Sequence, residues 1–233
     1  MSSGPPDAVP RPPAAVLFDL DGTLLDSLGG TADALVETLA AHGHDVSRRA
    51  VLEALGHSLP EVIATLCGLS PQEAATLADD YRALYYGRYY DRVEPLPGAE
   101  PLLAALGAAG VPLALVTSRR ERYARLVLAH HRWVARFAVV VGQDTAAAPK
   151  PDPAPVACAL SGLGVEAESA ALVGDTCEDM AAAAAAGVGT IVGLTHIRRE
   201  GELRAAGATH TAPGLPAVGA LLRVPPAAPR GAA

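Results

Sequence analysis

The sequence predicts an α/β protein: a doubly wound, mostly parallel, Rossmann-like sheet with an inserted all-helical cap domain. Three observations predict it. Short runs that are apolar at nearly every position alternate with longer segments of helical periodicity, as in strands buried on both faces and joined by crossover helices. Glycines close several of the helical segments. One interval of about 90 residues, between the first apolar run and the second, is helical throughout and far exceeds a single crossover.

Residues 1–13 are rich in proline and read as a disordered tail. AVLFDL, ending at Leu20, is the first strand. The core domain is expected over 14–27 and 95–224, with the cap at 28–94 between its two parts. In the cap, TADALVETLAAHG, RRAVLEAL, PEVIATLCG and SPQEAATLADDYRALYYGRYYDRV repeat apolar residues at helical spacing. Ser70-Pro71 has the form of a helix cap followed by proline in the first turn. Asp26 and Ser27 read as caps of the first cap helix. Back in the core, helices are expected at 99–110, 121–131, 153–164 and 177–187, and strands at 111–117, 137–142, 170–175 and 189–194. Gly110, Gly164 and Gly187 stand where helices end on a left-handed glycine. Residues 225–233 read as a second disordered tail.

Composition excludes several classes of function. Lys and Arg number 18 against 25 Asp and Glu, a net charge of −7, which argues against a nucleic-acid partner. Half the residues are hydrophobic, which argues against a disordered chain. Cys67, Cys158 and Cys177 are widely spaced with no CxxC, so neither a disulfide framework nor a thiolate zinc site is expected, and a reducing, cytoplasmic setting fits. The proline-rich start lacks the apolar stretch of a signal peptide. No apolar run reaches the ~18 residues of a membrane span, so no membrane partner is expected.

Reactive side chains cluster at the carboxyl ends of the expected strands. Asp19 and Asp21 follow the first, Thr117 and Ser118 the second, Lys150 the third, and Asp175 the fourth, with Asp179 a turn further. Ligands of open α/β sheets bind outside those ends, so residues far apart in sequence converge there. Clustered carboxylates need a cation, and oxygen donors without His or Cys favour Mg²⁺. A Lys and a Thr beside them suit phosphoryl oxygens. One carboxylate can be the nucleophile and another the general acid and base. Taken singly, each Asp is as readily a cap or turn former, and Lys150 a solvated loop lysine. Only the joint pattern outweighs those readings.

DLDGTLLDS (19–27), LALVTS (113–118), PKPDP (149–153) and VGDTCEDM (173–180) together resemble the motifs of the haloacid-dehalogenase-like hydrolases, in order and spacing, over roughly 14–222. The helical insertion resembles the cap of the phosphoglycolate phosphatase and β-phosphoglucomutase branch. The resemblance implies a Mg²⁺-dependent phosphatase acting on a small phosphorylated metabolite through an aspartyl-phosphate. It implies Asp19 as nucleophile and metal ligand, and Asp21 as general acid/base with its backbone carbonyl on the metal. Thr117 becomes the phosphoryl-binding hydroxyl, Lys150 the neutralising cation and Asp175 the second metal carboxylate. Asp179 would support metal-bound water or the lysine from outside the metal's own ligands. The backbone N–H groups of Leu20 and Ser118 become oxyanion donors, and Gly22 permits the sharp turn. Arg119 would add positive field for a phosphate, and His57, in Gly56-His57-Ser58, would contact substrate from the cap.

Other features have simpler readings. Tyr81, Tyr85 and Tyr89 share one helix face and Tyr86 and Tyr90 another, which suits packing within the cap, with a substrate wall or dimer patch as the alternative. Cys177 reads as a small packed residue. A phosphohexomutase of the same branch and a non-catalytic phospho-acceptor domain remain as rival functions. The assembly is expected to be a monomer or homodimer.

Overall fold

A computed structural model describes Val9, residues 11–55 and residues 58–224. Two compact units emerge, one comprising residues up to 25 and from 95 onward, the other residues 26–94.

The first unit is built on a six-stranded parallel sheet: β1 (Ala15–Phe18), β2 (Leu113–Val116), β3 (Val139–Val141), β4 (Ala170–Gly174), β5 (Thr190–Leu194) and β6 (His210–Ala212). The order is β3-β2-β1-β4-β5-β6, and every neighbouring pair is parallel. The chain winds outward from β1 through β2 to β3, then returns to lay β4 on the other side of β1. The reversal leaves a crevice at the carboxyl ends of β1 and β4. Register places Leu17 beside Leu172 and Ala114, and Phe18 beside Val173 and Leu115. β6 was not expected from the sequence. Its three residues, His-Thr-Ala, are too few and too polar to register as a strand, and they are ordered by pairing with β5.

The second unit holds α1 (Leu28–Ala41), α2 (Arg48–Ala54), α3 (Leu59–Cys67) and α4 (Pro71–Arg88). Ser70 caps α4 in a reciprocal capping box with Glu73, and Pro71 occupies its first turn. Ser27 holds the N-cap position of α1, but its side chain makes no capping hydrogen bond, so the expected side-chain cap there is absent. Ser27 is in helical conformation, φ −98° and ψ −14°, rather than the extended one that aims a capping hydroxyl at the first turn. The tyrosines pack within the unit. Tyr81 and Tyr85 are buried, with stacked rings 5.5 Å apart, and the Tyr89 hydroxyl donates to Glu37 at 2.6 Å.

The core helices are α5 (Ala99–Ala108), α6 (Glu121–His130), α7 (Ala154–Leu163), α8 (Cys177–Ala185), α9 (Glu200–Ala205) and α10 (Leu215–Leu221). Val156 and Leu160 of α7, Met180 and Ala183 of α8 and Leu203 of α9 pack on Leu17, Val116, Leu172 and Ile191 of one sheet face. The alternate strand residues Val16, Phe18, Leu115 and Val173 are buried too, so both faces are covered. Alanines at 182 and 183 leave room for α8 to lie close against the strands. Of the stretch read as an N-terminal tail, Val9 is buried and its N–H donates to the Leu221 carbonyl at 3.0 Å. Residues 225–233 lie outside the described residues, as do Gly56 and His57. No helix among the described residues is long and apolar enough to cross a membrane.

Candidate active site

Four strand ends supply the site. Asp19 directly follows β1, and its N–H is held by the Val173 carbonyl of β4 at 3.0 Å. Thr117 directly follows β2 and is fixed by a hydrogen bond from its N–H to Val141 O. Asp175 directly follows β4. Lys150 arrives from the loop after β3. Asp19, Thr117 and Asp175 are fixed by the strands they follow, which is how distant residues hold one geometry.

Lys150 ties the strands together. Its Nζ donates to Asp19 Oδ1 at 2.8 Å, to Asp179 Oδ1 at 2.5 Å and to the Val116 carbonyl at 3.1 Å. Its side chain is 4 % exposed, so the reading as a solvated loop lysine is excluded. Asp179 serves two structures at once. Its other oxygen, Oδ2, accepts from the N–H and hydroxyl of Thr176, closing the capping box at the start of α8. The helix cap thereby aims a carboxylate at the lysine.

Oxygens of Asp19, Asp175 and Asp179 all lie within 4.8 Å of one another, and all three residues are buried. Burial raises Asp19 to about 7; Asp179 and Asp21 push it the same way, while Lys150 opposes. Burial, then the charges of Asp19 and Asp179, lift Asp175 well above the usual carboxylate range. For Lys150 burial pulls the ammonium down, but Asp179 and Asp19 together outweigh it and hold its pKa above the usual lysine value. One ammonium cannot balance three buried carboxylates. The surplus negative charge and the oxygen-only donor set fit a hard divalent cation such as Mg²⁺.

Two contacts were not expected from sequence. Thr23 Oγ1 donates to Asp175 Oδ1 at 2.7 Å, fixing that carboxylate from the turn after β1. The signal lies in DLDGT (19–23) itself, whose threonine follows the turn at Gly22. Arg119 forms a two-pronged pair with Asp21: Nε to Oδ2 and Nη2 to Oδ1, both 2.6 Å. Beside the positive field expected of it, Arg119 thus bonds directly to the acid.

The remaining expected residues distribute as follows. Gly22 has φ +80° and lies against the Asp175 carboxylate, where a Cβ would come within 2.4 Å of Oδ2. Leu20 is buried two residues past β1, and Ser118 is exposed next to Thr117. The Thr117 hydroxyl accepts the Arg119 N–H at 3.2 Å. Asp19, Thr117, Lys150, Asp175 and Asp179 are brought together, with Asp21 and Arg119 beside them. His57 lies outside the described residues.

Residues 16–192 match the haloacid dehalogenase-like hydrolase family. The chain is 39 % identical to phosphoglycolate phosphatase of Rhodospirillum rubrum over 191 residues, covering 77 % of this chain and 79 % of that one. It is 33 % identical to phosphoglycolate phosphatase of Yersinia pseudotuberculosis over 215 residues, covering 88 % and 92 %. Among solved structures it resembles a hydrolase from Pseudomonas syringae, with a TM-score of 0.71 at 28 % identity over 84 % of this chain and 92 % of that one. Strands, strand-end acids and relatives agree: the chain belongs to the haloacid dehalogenase-like hydrolase family, as one of its phosphoric monoester hydrolases.

Proposed function

We propose that the protein is a Mg²⁺-dependent phosphatase that hydrolyses a small phosphorylated metabolite, phosphoglycolate-like or a sugar phosphate, through an aspartyl-phosphate on Asp19. The observation that carries this reading is the meeting of Asp19, Asp175 and Asp179 around one point, with Lys150 bonded to two of them. Relatives named phosphoglycolate phosphatase support it.

Asp19 and Asp175 would hold the metal, together with the Asp21 backbone carbonyl. When bound, the cation withdraws charge from the phosphoryl oxygens and offsets that of the carboxylates. Asp19 attacks phosphorus with a carboxylate oxygen, forming an acyl-phosphate bond as the ester P–O bond breaks. Asp21 gives a proton to the departing alkoxide. It then takes one from the water that attacks phosphorus, and the P–O bond to Asp19 breaks to release inorganic phosphate. Lys150 keeps Asp19 oriented and supplies positive charge. The Thr117 hydroxyl and the backbone N–H groups of Leu20 and Ser118 receive phosphoryl oxygens. Asp179 holds the lysine, and Thr23 holds Asp175.

The test is phosphate release across a panel of phosphorylated metabolites, with Mg²⁺ or with EDTA. Release should require Mg²⁺. Asp19→Asn should keep the fold and lower kcat by more than about a thousandfold, a small part of the acceleration such enzymes achieve. Vigorous release in EDTA, or an active Asp19→Asn protein, would refute the reading. Conversion of a hexose 1-phosphate to its isomer without free phosphate would replace it with a mutase.

A further inference from the structure

Asp21 is not poised alone in this structure. Arg119 grips both of its oxygens at 2.6 Å, and the Arg119 side chain is only 10 % exposed. The Arg119 backbone N–H is in turn bonded to the Thr117 hydroxyl. Arg119 thus joins the acid through its side chain and the Thr117 hydroxyl through its backbone, across the ends of β1 and β2.

To protonate a departing alkoxide, Asp21 must turn one oxygen to the substrate. A proton on that oxygen competes with the N–H already aimed at it. At least one prong of the pair therefore loosens during turnover. A largely buried guanidinium that loses half its carboxylate is costly to leave unmet. Its planar fork suits another carboxylate better than it suits a neutral hydroxyl. A carboxylate one carbon from the ester oxygen lies close to the residue that protonates that oxygen, and hence to Arg119.

Resting on the phosphatase reading above, we propose that Arg119 is a positioning and specificity-determining residue: it holds Asp21 between turnovers and passes a prong to a carboxylate on the leaving fragment. Phosphomonoesters of hydroxy acids are then favoured over those of neutral alcohols. The step is an exchange of hydrogen bonds and makes no covalent change.

The experiment uses the full chain with Mg²⁺ and two probes of similar size, 2-phosphoglycolate and 2-hydroxyethyl phosphate, which differ in carboxylate against hydroxymethyl. The wild-type kcat/KM should favour the carboxylate by at least about tenfold, the least expected when a site loses a polar partner it was built to meet. Arg119→Gln should lower both activities, but the ratio should also fall by about tenfold or more. Arg119→Lys, which keeps the charge without the fork, should fall between. A role confined to structure or to positioning Asp21 would lower both substrates equally and leave the ratio unchanged, which overturns the proposal. A measurement on the unaltered protein stands beside the variants, whether or not they fold: glycolate should inhibit competitively and ethylene glycol far less, and equal inhibition also overturns it. If the wild type hydrolyses both esters and the ratio does not respond to Arg119, the Arg119 proposal fails while the phosphatase reading stands. If no phosphomonoester is hydrolysed, both fail.

Discussion

Gly22 occupies the left-handed region at φ +80°, and its missing side chain faces the Asp175 carboxylate. A Cβ there meets Oδ2 at 2.4 Å, too close to be relieved without moving a proposed metal ligand. Gly22→Ala should cost roughly 1–2 kcal/mol from backbone conformation alone. The clash adds to that and should abolish the rise in Tm that Mg²⁺ gives the wild type, as thermal unfolding with and without the metal would reveal. The acids themselves set a pH dependence. Burial raises Asp19 to about 7, and Asp175 is raised as well. Folded protein therefore holds protons that the unfolded chain has released above the ordinary Asp value. The Asp19 contribution to stability without metal is full below that value, falls as pH rises toward about 7, and is flat above; Asp175 acts in the same direction. Metal binding needs the ionised forms. Mg²⁺ affinity should thus climb between about pH 6 and pH 8, with protons released on binding at the lower value. Calorimetry in buffers of different ionisation heat measures both, and an affinity indifferent to pH would contradict the assignment.

Two helices begin with the same device and make different use of it. At α4, Ser70 and Glu73 exchange hydrogen bonds and do nothing else visible. At α8, Thr176 and Asp179 make the same box, but the free oxygen of Asp179 reaches Lys150. Ser70→Ala and Thr176→Ala should each cost about 1 kcal/mol, the usual loss of a capping side chain. Only Thr176→Ala should also depress kcat, because it frees Asp179 to rotate away from the lysine. Asp179→Asn retains an acceptor for the cap and removes the charge that Lys150 answers. It should lower activity about 10–100-fold, as loss of a supporting residue around a metal site typically does, with a smaller change in Tm than Thr176→Ala. Matched thermal unfolding and steady-state kinetics on the three proteins would separate the two uses of the cap.

At the scale of the whole chain, residues 26–94 leave and rejoin the sheet unit at neighbouring points. Leu96 N–H donates to the Leu24 carbonyl at 2.9 Å, Leu25 bridges Pro95, and Asp26 N–H donates to the Glu94 carbonyl at 2.9 Å. Ends that already touch can be joined by a short linker with little closure entropy. Replacing 26–94 with a few glycines and serines should leave a folded sheet unit whose Tm still rises with Mg²⁺, since Asp19, Asp175, Asp179 and Lys150 all lie outside the excised segment. Circular dichroism and thermal unfolding would check it; a molten or aggregated product would mean that the sheet unit cannot stand without the helices.

Much of this architecture was legible from residue order. Strands such as AALVG are apolar on both parities, so their burial on both faces follows from composition alone. Strand-end acids in an open parallel sheet must converge, whatever separates them in sequence. Local pattern could not disclose which atoms meet once they converge. That Thr23 reaches Asp175, that Arg119 takes both oxygens of Asp21, and that one carboxylate caps α8 while holding Lys150 are facts of side-chain direction across 152, 98 and 29 residues of chain. β6 likewise exists because β5 offers it an edge, not because His-Thr-Ala favours a strand. Sequence determined what each segment must bury and which groups stand at the crevice. Tertiary packing alone decided who pairs with whom there, because hydrogen bonds and ion pairs depend on ångström-scale placement that no local periodicity encodes.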